Sequence, residues 1–128
     1  LENNYLHVDG WDEKIFELFK TYPSDGVYIS AYDHADKYSH PMYENLVSKI
    51  ILTDNHHWRT TPSTCGSFII NKKTFDMDYD ILSTMRGDHN KFLWLTEHRK
   101  RIVLSPLPGL STHCMQHLLS PTIDWSKI

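Results

Sequence analysis

The feature that most constrains the fold is a strand–helix–strand pattern at the start of the chain. Residues 5–8 favour a short strand, and Asp9-Gly10 then forms a turn and helix cap. Across residues 11–22 the apolar side chains recur mostly at spacings of three and four, which indicates an amphipathic helix that Pro23 ends. Residues 27–30 have the pattern of a buried strand. A β-α-β unit favours a parallel pair of strands with a right-handed crossover, so we expect an α/β fold.

Three further apolar runs predict strands in the rest of the chain. They cover residues 46–53, 66–70 and 102–104. Asp54-Asn55 is typical of a hairpin turn, so the chain is expected to return antiparallel to the first of these strands through residues 58–61. The predicted strands therefore include both a parallel pair and an antiparallel hairpin.

Residues that favour helix caps mark the starts of three later helices. Thr74 is expected to cap one helix and Asp88 the next, and Ser111 is expected to cap a short helix over residues 112–119. The length fits one α/β domain over residues 1–128. Because the chain opens on residues typical of the inside of a strand, we expect it to be a fragment of a larger fold.

Composition narrows the class of protein. The chain is 40% hydrophobic and 12% aromatic, as in globular rather than disordered proteins. Its formal net charge of -3 provides no positive field for nucleic acid, and the basic cluster Arg99-Lys100-Arg101 fits either a solvated helix end or an anionic ligand. No apolar run has transmembrane length, and the two cysteines fall in no zinc or CxxC pattern. We expect a cytoplasmic protein without a nucleic-acid partner or a membrane span.

Polar side chains concentrate in two segments that are candidates for a binding site. Residues 55–70 contain His56-His57, Arg59 and a run of hydroxyl side chains that leads into a predicted strand, which suggests a site wall held by a sheet. Residues 31–41 follow the predicted buried strand at 27–30. Loops at the carboxyl ends of parallel strands bind ligands in α/β proteins, although the Asp residues of this loop would also serve to cap turns.

The chemistry of individual residues leaves alternatives open. The nine histidines include no HExxH or Cys-His framework, so a zinc site is not predicted. Asp88 would act either as a helix N-cap, contributing about 1 kcal/mol, or as a general base beside Gly87. His113 falls at the start of the helix expected over residues 112–119, where a neutral ring would be able to ligate a metal.

Several short motifs occur in a fixed order along nearly the whole chain. They are Glu2-Asn3-Asn4-Tyr5-Leu6, Val27-Tyr28-Ile29-Ser30, Tyr32-Asp33-His34, Asp36-Lys37-Tyr38, residues 60–68, Gly87-Asp88-His89, and residues 105–113 with Pro121 and Trp125. Together they resemble the carboxyl-terminal half of GT-A-type glycosyltransferases, especially bacterial and phage-borne ones. The resemblance implies an α/β fold with a mixed sheet flanked by helices, lacking the amino-terminal half that binds the nucleotide.

The resemblance also implies a cation site. In that family an acidic motif at a strand end holds Mn²⁺ or Mg²⁺ against the diphosphate of the sugar nucleotide, and a late histidine often joins it. The matching residues are Glu2, Asn4 and His113, with Asn3 between the first two. Because asparagine offers a neutral oxygen where a hard cation prefers a carboxylate, the resemblance implies weakened cation binding.

The remaining site residues follow from the same resemblance. Asp88 matches the catalytic base of inverting members, which removes the proton of the acceptor hydroxyl. Gly66-Ser67 matches a wall of the sugar pocket. The predicted donor- and acceptor-binding residues are Tyr32, Asp33, Trp58, Arg59, Gly66, Ser67 and His89.

The predicted function is sugar transfer from a nucleotide-sugar donor to a glycan acceptor, with two alternatives. The first is a non-catalytic carbohydrate-binding domain in which aromatic rings stack on sugar faces. The second is a metal-dependent hydrolase, supported only by the density of ligands at Asp33, His34, Asp36, His56 and His57. The half of the family that the chain matches does not include the nucleotide-binding residues. We therefore expect turnover only when a second copy of the chain, in a homo-oligomer, or a complementing amino-terminal half is present.

Overall fold

The structure is a computed structural model that describes residues 4–128. Its strands are β1 (Tyr5–His7), β2 (Val27–Ile29), β3 (Ile50–Leu52), β4 (His57–Thr61), β5 (Ile102–Leu107) and β6 (Ser111–His113). Its helices are α1 (Trp11–Thr21), α2 (Asp36–Ser39), α3 (Lys72–Thr84) and α4 (Asp88–His98), with short 3-10 turns at Pro41–Tyr43, Gln116–Leu118 and Trp125–Lys127. Among the described residues, no helix is both long and apolar enough to cross a lipid bilayer.

A four-stranded mixed sheet forms the centre of the fold, in the order β2-β5-β4-β3. Strands β2 and β5 are parallel, with Tyr28 opposite Val103, whereas β4 is antiparallel to both β5 and β3. The predicted α/β class is therefore confirmed, and so is the hairpin, since β3 pairs antiparallel with β4. A second sheet consists of β1 and β6, which are antiparallel.

The predicted pairing within the opening β-α-β unit is wrong. Strand β1 pairs with β6, near the other end of the chain, and β2 takes its parallel partner from β5. Apolar periodicity reports which residues face the core, but it contains no information about which strand lies alongside. The positions of β1, α1 and β2 were therefore predictable, whereas the partners of the two strands were not.

One predicted strand is shorter than expected, and another does not form. Only Ile50–Leu52 of the run 46–53 is a strand, at the edge of the sheet. Residues 66–70 form no strand. Within them, Ile69 makes an isolated bridge to Ile29, exchanging backbone hydrogen bonds of 2.8 and 2.9 Å, which covers the outer edge of β2.

The predicted helix caps are also corrected. Helix α3 is capped by Asn71, whose side chain accepts a 2.8 Å hydrogen bond from the Thr74 amide, while the Thr74 hydroxyl accepts one from the Gly26 amide. Helix α4 is preceded by Gly87, at a φ of 79° that favours glycine, so Asp88 is its first residue rather than its cap. The predicted helix over residues 112–119, with Ser111 as its cap, is wrong: Ser111–His113 is strand β6, which pairs with β1, and only Gln116–Leu118 forms a short 3-10 turn.

Apolar side chains fill both faces of the central sheet. On one face Ile15 and Leu18 of α1 pack with Ile29, Trp58 and Leu104. On the other face Tyr28 and Val103 pack with side chains of α4. A three-layer arrangement of this kind leaves the strand ends and helix starts as the natural place for a site.

Two residues of the basic cluster Arg99-Lys100-Arg101 form ion pairs with a buried carboxylate. Asp78 is fully buried and accepts hydrogen bonds of 2.9 Å from both Arg99 and Arg101, and one of 2.6 Å from Tyr28. Burial alone would raise the pKa of Asp78, but the hydrogen bonds from Arg101, Tyr28 and Arg99 outweigh it and lower that pKa below 3.8. Two of the three cations therefore serve the fold, which weakens the anionic-ligand interpretation.

Candidate functional site

A polar cavity of about 170 Å³ lies between the segment after β2, the segment after β4 and the start of α4. Its lining residues are His34, Asp36, Lys37, Tyr43, Ser63, Thr64, Cys65, Asp88 and His89. A larger hollow of about 520 Å³ beside α1 is lined only by Glu13, Phe16, Glu17 and Lys20. We regard the polar cavity as the candidate site because it combines many convergent polar groups with the carboxyl end of a parallel strand.

Asp88 is the cavity residue best suited to accept a proton. It is half-buried, and it is the first residue of α4, directly after the N-cap residue Gly87. Within residues 4–128 its carboxylate has no hydrogen-bond or ion-pair partner. The N-cap role considered for this residue is therefore wrong. A carboxylate free of other bonds is available to a hydroxyl group in the cavity.

A hydrogen-bonded chain of polar groups crosses the cavity wall beside Asp88. The Lys37 ammonium donates to the Ser63 hydroxyl and to the Tyr43 hydroxyl, both at 3.0 Å. The Ser63 hydroxyl lies 3.1 Å from Nδ1 of His89, a residue predicted to bind the sugar. Lys37, Tyr43 and Ser63 were not predicted as site residues. The contact between Lys37 and Ser63 joins positions 26 residues apart, which no local pattern connects.

His34 is held between aromatic and hydroxyl groups. Its ring centroid lies 4.2 Å from that of Tyr32, its Nε2 lies 3.2 Å from the Thr64 hydroxyl, and its Nδ1 lies 3.7 Å from Oδ1 of Asp36. Burial, followed by repulsion from Lys37, lowers the pKa of His34 to about 4. The ring is therefore neutral at pH 7.

This shift predicts a loss of stability in mild acid. Unfolded His34 would take up a proton near pH 6.5, whereas the folded residue stays neutral until about pH 4, so the stabilisation is complete above pH 6.5 and is lost as the pH falls. Between pH 7 and pH 5 the free energy of unfolding should fall by about 2 kcal/mol more in the parent protein than in a His34→Gln variant. Urea unfolding at both pH values measures this difference. The exposed control His98→Gln should behave as the parent, and an identical loss in His34→Gln would contradict the shift.

Two residues of the predicted cation site lie side by side. The pairing of β1 with β6 places the Asn4 amide nitrogen 3.0 Å from Nε2 of His113, to which it donates. Glu2, with Leu1 and Asn3, lies outside the described residues. Residues 4–128 contain no group of three or more His, Cys, Asp or Glu side chains arranged to hold a metal. An amide and an imidazole fit a cation only weakly, as the sequence implies.

The Asn4–His113 pair is connected to the polar cavity through one tyrosine. The Tyr5 ring lies 5.0 Å from the His113 ring, and the Tyr5 hydroxyl is 2.8 Å from the Cys65 sulfur, which lines the cavity. His113 is not at a helix start, as predicted, but on β6. The late histidine and Asp88 therefore belong to neighbouring parts of one region.

Two aromatic residues predicted to bind sugar are part of the core. Trp58 is 0% exposed because its ring packs in the core with Ile15 and Leu18 of α1, so neither face of the ring is open to a ligand. Tyr32 is also buried, and its hydroxyl donates to the Leu118 carbonyl. The prediction that these rings stack on a sugar does not fit this placement.

Asp33 and Arg59, also predicted to bind sugar, form a buried ion pair. Asp33 is 2% exposed and accepts from Nη2 of Arg59 at 2.8 Å, from the Tyr38 hydroxyl at 2.6 Å and from the Ser105 hydroxyl at 3.2 Å. Neither residue lines the cavity. Their hydrogen bonds hold the segment after β2 against β4, which places the cavity wall without touching a ligand.

The sugar-pocket wall predicted at Gly66-Ser67 lies at neighbouring residues instead. Gly66 is exposed and Ser67 is buried, and the cavity wall is formed instead by Ser63, Thr64 and Cys65. The hydrolase cluster is not assembled: Asp33 is engaged by Arg59, and His56 bonds the Pro108 carbonyl at 2.8 Å.

The arrangement is chemically suited to binding a hydroxylated ligand and removing a proton from it. Lys37, Ser63 and Tyr43 are hydrogen-bonding groups held in fixed positions, and Asp88 supplies a free carboxylate. No family model, curated protein or solved structure matches the chain. The functional argument therefore depends on the geometry of these residues.

Proposed function

We propose that the chain is a GT-A-like glycosyltransferase domain that transfers a sugar from a nucleotide-sugar donor to a glycan acceptor. The observation that carries the proposal is the Asp88 carboxylate, which lines the polar cavity and has no hydrogen-bond or ion-pair partner among residues 4–128. The resemblance gives the base to Asp88 and the cation to Asn4 and His113. Tyr5 links the two through its contacts with His113 and Cys65.

The proposed reaction is a single displacement at the anomeric carbon of the donor sugar. An acceptor hydroxyl in the cavity gives its proton to Asp88 while its oxygen forms the new bond to the anomeric carbon. The bond from that carbon to the diphosphate oxygen breaks, and the nucleoside diphosphate leaves with the electron pair. Asp88 then releases the proton to solvent. A positioned general base of this kind accelerates a reaction by about 10²–10⁴-fold.

A divalent cation, Mn²⁺ or Mg²⁺, would be held by Glu2, Asn4 and His113. When bound, it would offset the negative charge of the departing diphosphate. The Asn4 side chain supplies a neutral oxygen, and His113 supplies a ring nitrogen whose present partner is the Asn4 amide. Both ligands are weak for a hard cation, which supports a low affinity.

Replacing Asn4 by aspartate tests this cation site. Asn4→Asp should raise the affinity for Mn²⁺ about tenfold, or about 1.4 kcal/mol, because a carboxylate replaces a neutral amide beside His113. Calorimetric titration with Mn²⁺ measures the change. The exposed control Asn45→Asp should bind Mn²⁺ as the parent does, and an equal affinity for Asn4→Asp and the parent would show that the cation site is misplaced.

The second candidate is a non-catalytic carbohydrate-binding domain, which is favoured by Asn4 at a position where the family has a carboxylate. Calorimetric titrations with sugar nucleotides and Mn²⁺, beside titrations with simple glycans, separate the two candidates. The transferase proposal predicts heat of binding from both the sugar nucleotide and the glycan. Binding of glycans with no response to any sugar nucleotide would contradict it and support the binding domain.

A further inference from the structure

We propose that Lys37 and Asp36 bind two adjacent hydroxyl groups of one sugar ring in the polar cavity. This inference deepens the proposed function and rests on it, since the ring bound there would be the acceptor that presents a hydroxyl to Asp88. The specificity of the cavity for its sugar would then depend on a hydrogen-bond donor, Lys37, and a hydrogen-bond acceptor, Asp36, neither of which takes part in the proposed reaction.

The first observation is the state of Lys37. The residue is 7% exposed, and its ammonium donates to two neutral hydroxyls, those of Tyr43 and Ser63. No carboxylate oxygen of residues 4–128 lies within 4.0 Å of it. An ammonium has three N–H donors. Nζ also lies 4.2 Å from the centroid of the Tyr43 ring, so among the described residues one donor has no oxygen or nitrogen acceptor. A buried charge normally has a partner, and a ligand hydroxyl in the cavity would supply one.

The second observation is an orphaned oxygen on Asp36. Although the side chain is partly exposed, its Oδ1 atom is buried and has no hydrogen-bond donor among the described residues. The titratable atom beside it is Nδ1 of His34, at 3.7 Å. Because the pKa of His34 is about 4, that ring is neutral at pH 7. An unsatisfied buried acceptor destabilises the fold, and more so when it is charged. A ligand O–H would remove this cost.

The combination of groups selects the class of ligand. Asp36 and Asp88 repel an anion, while Lys37 repels a cation, and the described residues form no group of three side chains suited to a metal. A pair of adjacent hydroxyls is neutral and provides both an O–H for Asp36 and a lone pair for Lys37. The cavity volume of about 170 Å³ corresponds to about six water molecules at about 30 Å³ each, the scale of one sugar ring.

The test measures sugar binding without any nucleotide. The probes are the methyl glycosides of glucose, galactose and mannose, with analogues that lack one hydroxyl of each adjacent pair, titrated by NMR. At least one complete glycoside should bind, and Asp36→Asn and Lys37→Met should each weaken it tenfold or more. The analogue lacking the bound hydroxyl should bind the parent about as weakly as the complete sugar binds the variants.

The variants and controls keep the outcome decisive. Lys37→Met replaces a buried cation by an apolar side chain of similar volume, and it leaves no counter-charge unpaired, because no carboxylate oxygen of residues 4–128 lies within 4.0 Å of the ammonium. Asp12→Asn and Lys20→Met alter exposed residues of α1 and should leave binding unchanged. Parent-like binding by both cavity variants, or no binding by any of the glycosides, would overturn the proposal.

Failure of this inference is distinguishable from failure of the proposed function. If sugar binding depends on Asp36 and Lys37 but no sugar nucleotide is consumed, the two-hydroxyl site stands and the transferase proposal fails. If sugar is transferred with unchanged efficiency by Asp36→Asn and Lys37→Met, the transferase stands and the two-hydroxyl site is refuted.

Discussion

Asp88→Asn is expected to reduce sugar transfer by about 10²–10⁴-fold, since the amide cannot accept the proton of the acceptor hydroxyl. The substitution is nearly isosteric, and the Asp88 carboxylate has no partner among residues 4–128 whose loss would disturb the fold. Glycan binding and thermal stability should therefore stay close to those of the parent. The assay follows release of the nucleoside diphosphate from a panel of nucleotide sugars, using the full-length gene product.

Asp12→Asn is the matched control for this experiment. Asp12, like Asp88, lies in the first turn of a helix, but it is exposed on α1 and does not line the cavity. Its substitution should leave transfer unchanged and would reveal any general effect of removing a carboxylate from a helix start. Full activity in Asp88→Asn would exclude this residue as the base. A parent protein that consumes no nucleotide sugar of the panel would contradict the transferase itself.

Asp33→Asn is expected to destabilise the protein by about 3–5 kcal/mol, because it leaves the Arg59 guanidinium buried without its counter-charge. The parent carboxylate also accepts hydrogen bonds from Tyr38 and Ser105, and an amide cannot satisfy all of these donors. The measurement is urea unfolding at pH 7, where the change appears as a lower midpoint.

The exposed pair of Lys72 and Asp76 provides the comparison for Asp33. Their 2.7 Å contact lies on the surface of α3, where one ion pair contributes about 0.3–0.5 kcal/mol. Asp76→Asn should therefore change the unfolding free energy by less than about 0.5 kcal/mol. If Asp33→Asn were as mild as Asp76→Asn, the buried ion pair would not be what holds the segment after β2 in place.

Local patterns predicted the helices and strands whose apolar residues follow one period. The spacing along α1 predicted its extent to within one residue, and the apolar run at 27–30 predicted β2. The partners of these strands depend on contacts between distant parts of the chain. β1 and β6 lie more than a hundred residues apart, and their pairing makes Ser111–His113 a strand where a helix over residues 112–119 was predicted to start. Tertiary pairing of this kind overrides local propensity.

The candidate site was predictable only in part. The motif Gly87-Asp88-His89 indicated two residues that do line the cavity. Trp58 and Arg59 were misassigned because polar neighbours in the sequence suggested an exposed segment, whereas β4 is an inner strand of the sheet. Lys37 was not assigned to the site, since a buried lysine and a surface lysine look alike in sequence and only the packing distinguishes them.

A crystal structure of the protein with a bound acceptor glycan tests the central claim most directly. The proposal predicts a sugar ring in the polar cavity, with one hydroxyl within about 2.6–3.2 Å of the Asp88 carboxylate, the reach of a general base. A glycan bound outside the cavity, or one bound inside it with every hydroxyl directed away from Asp88, would contradict a role in sugar transfer.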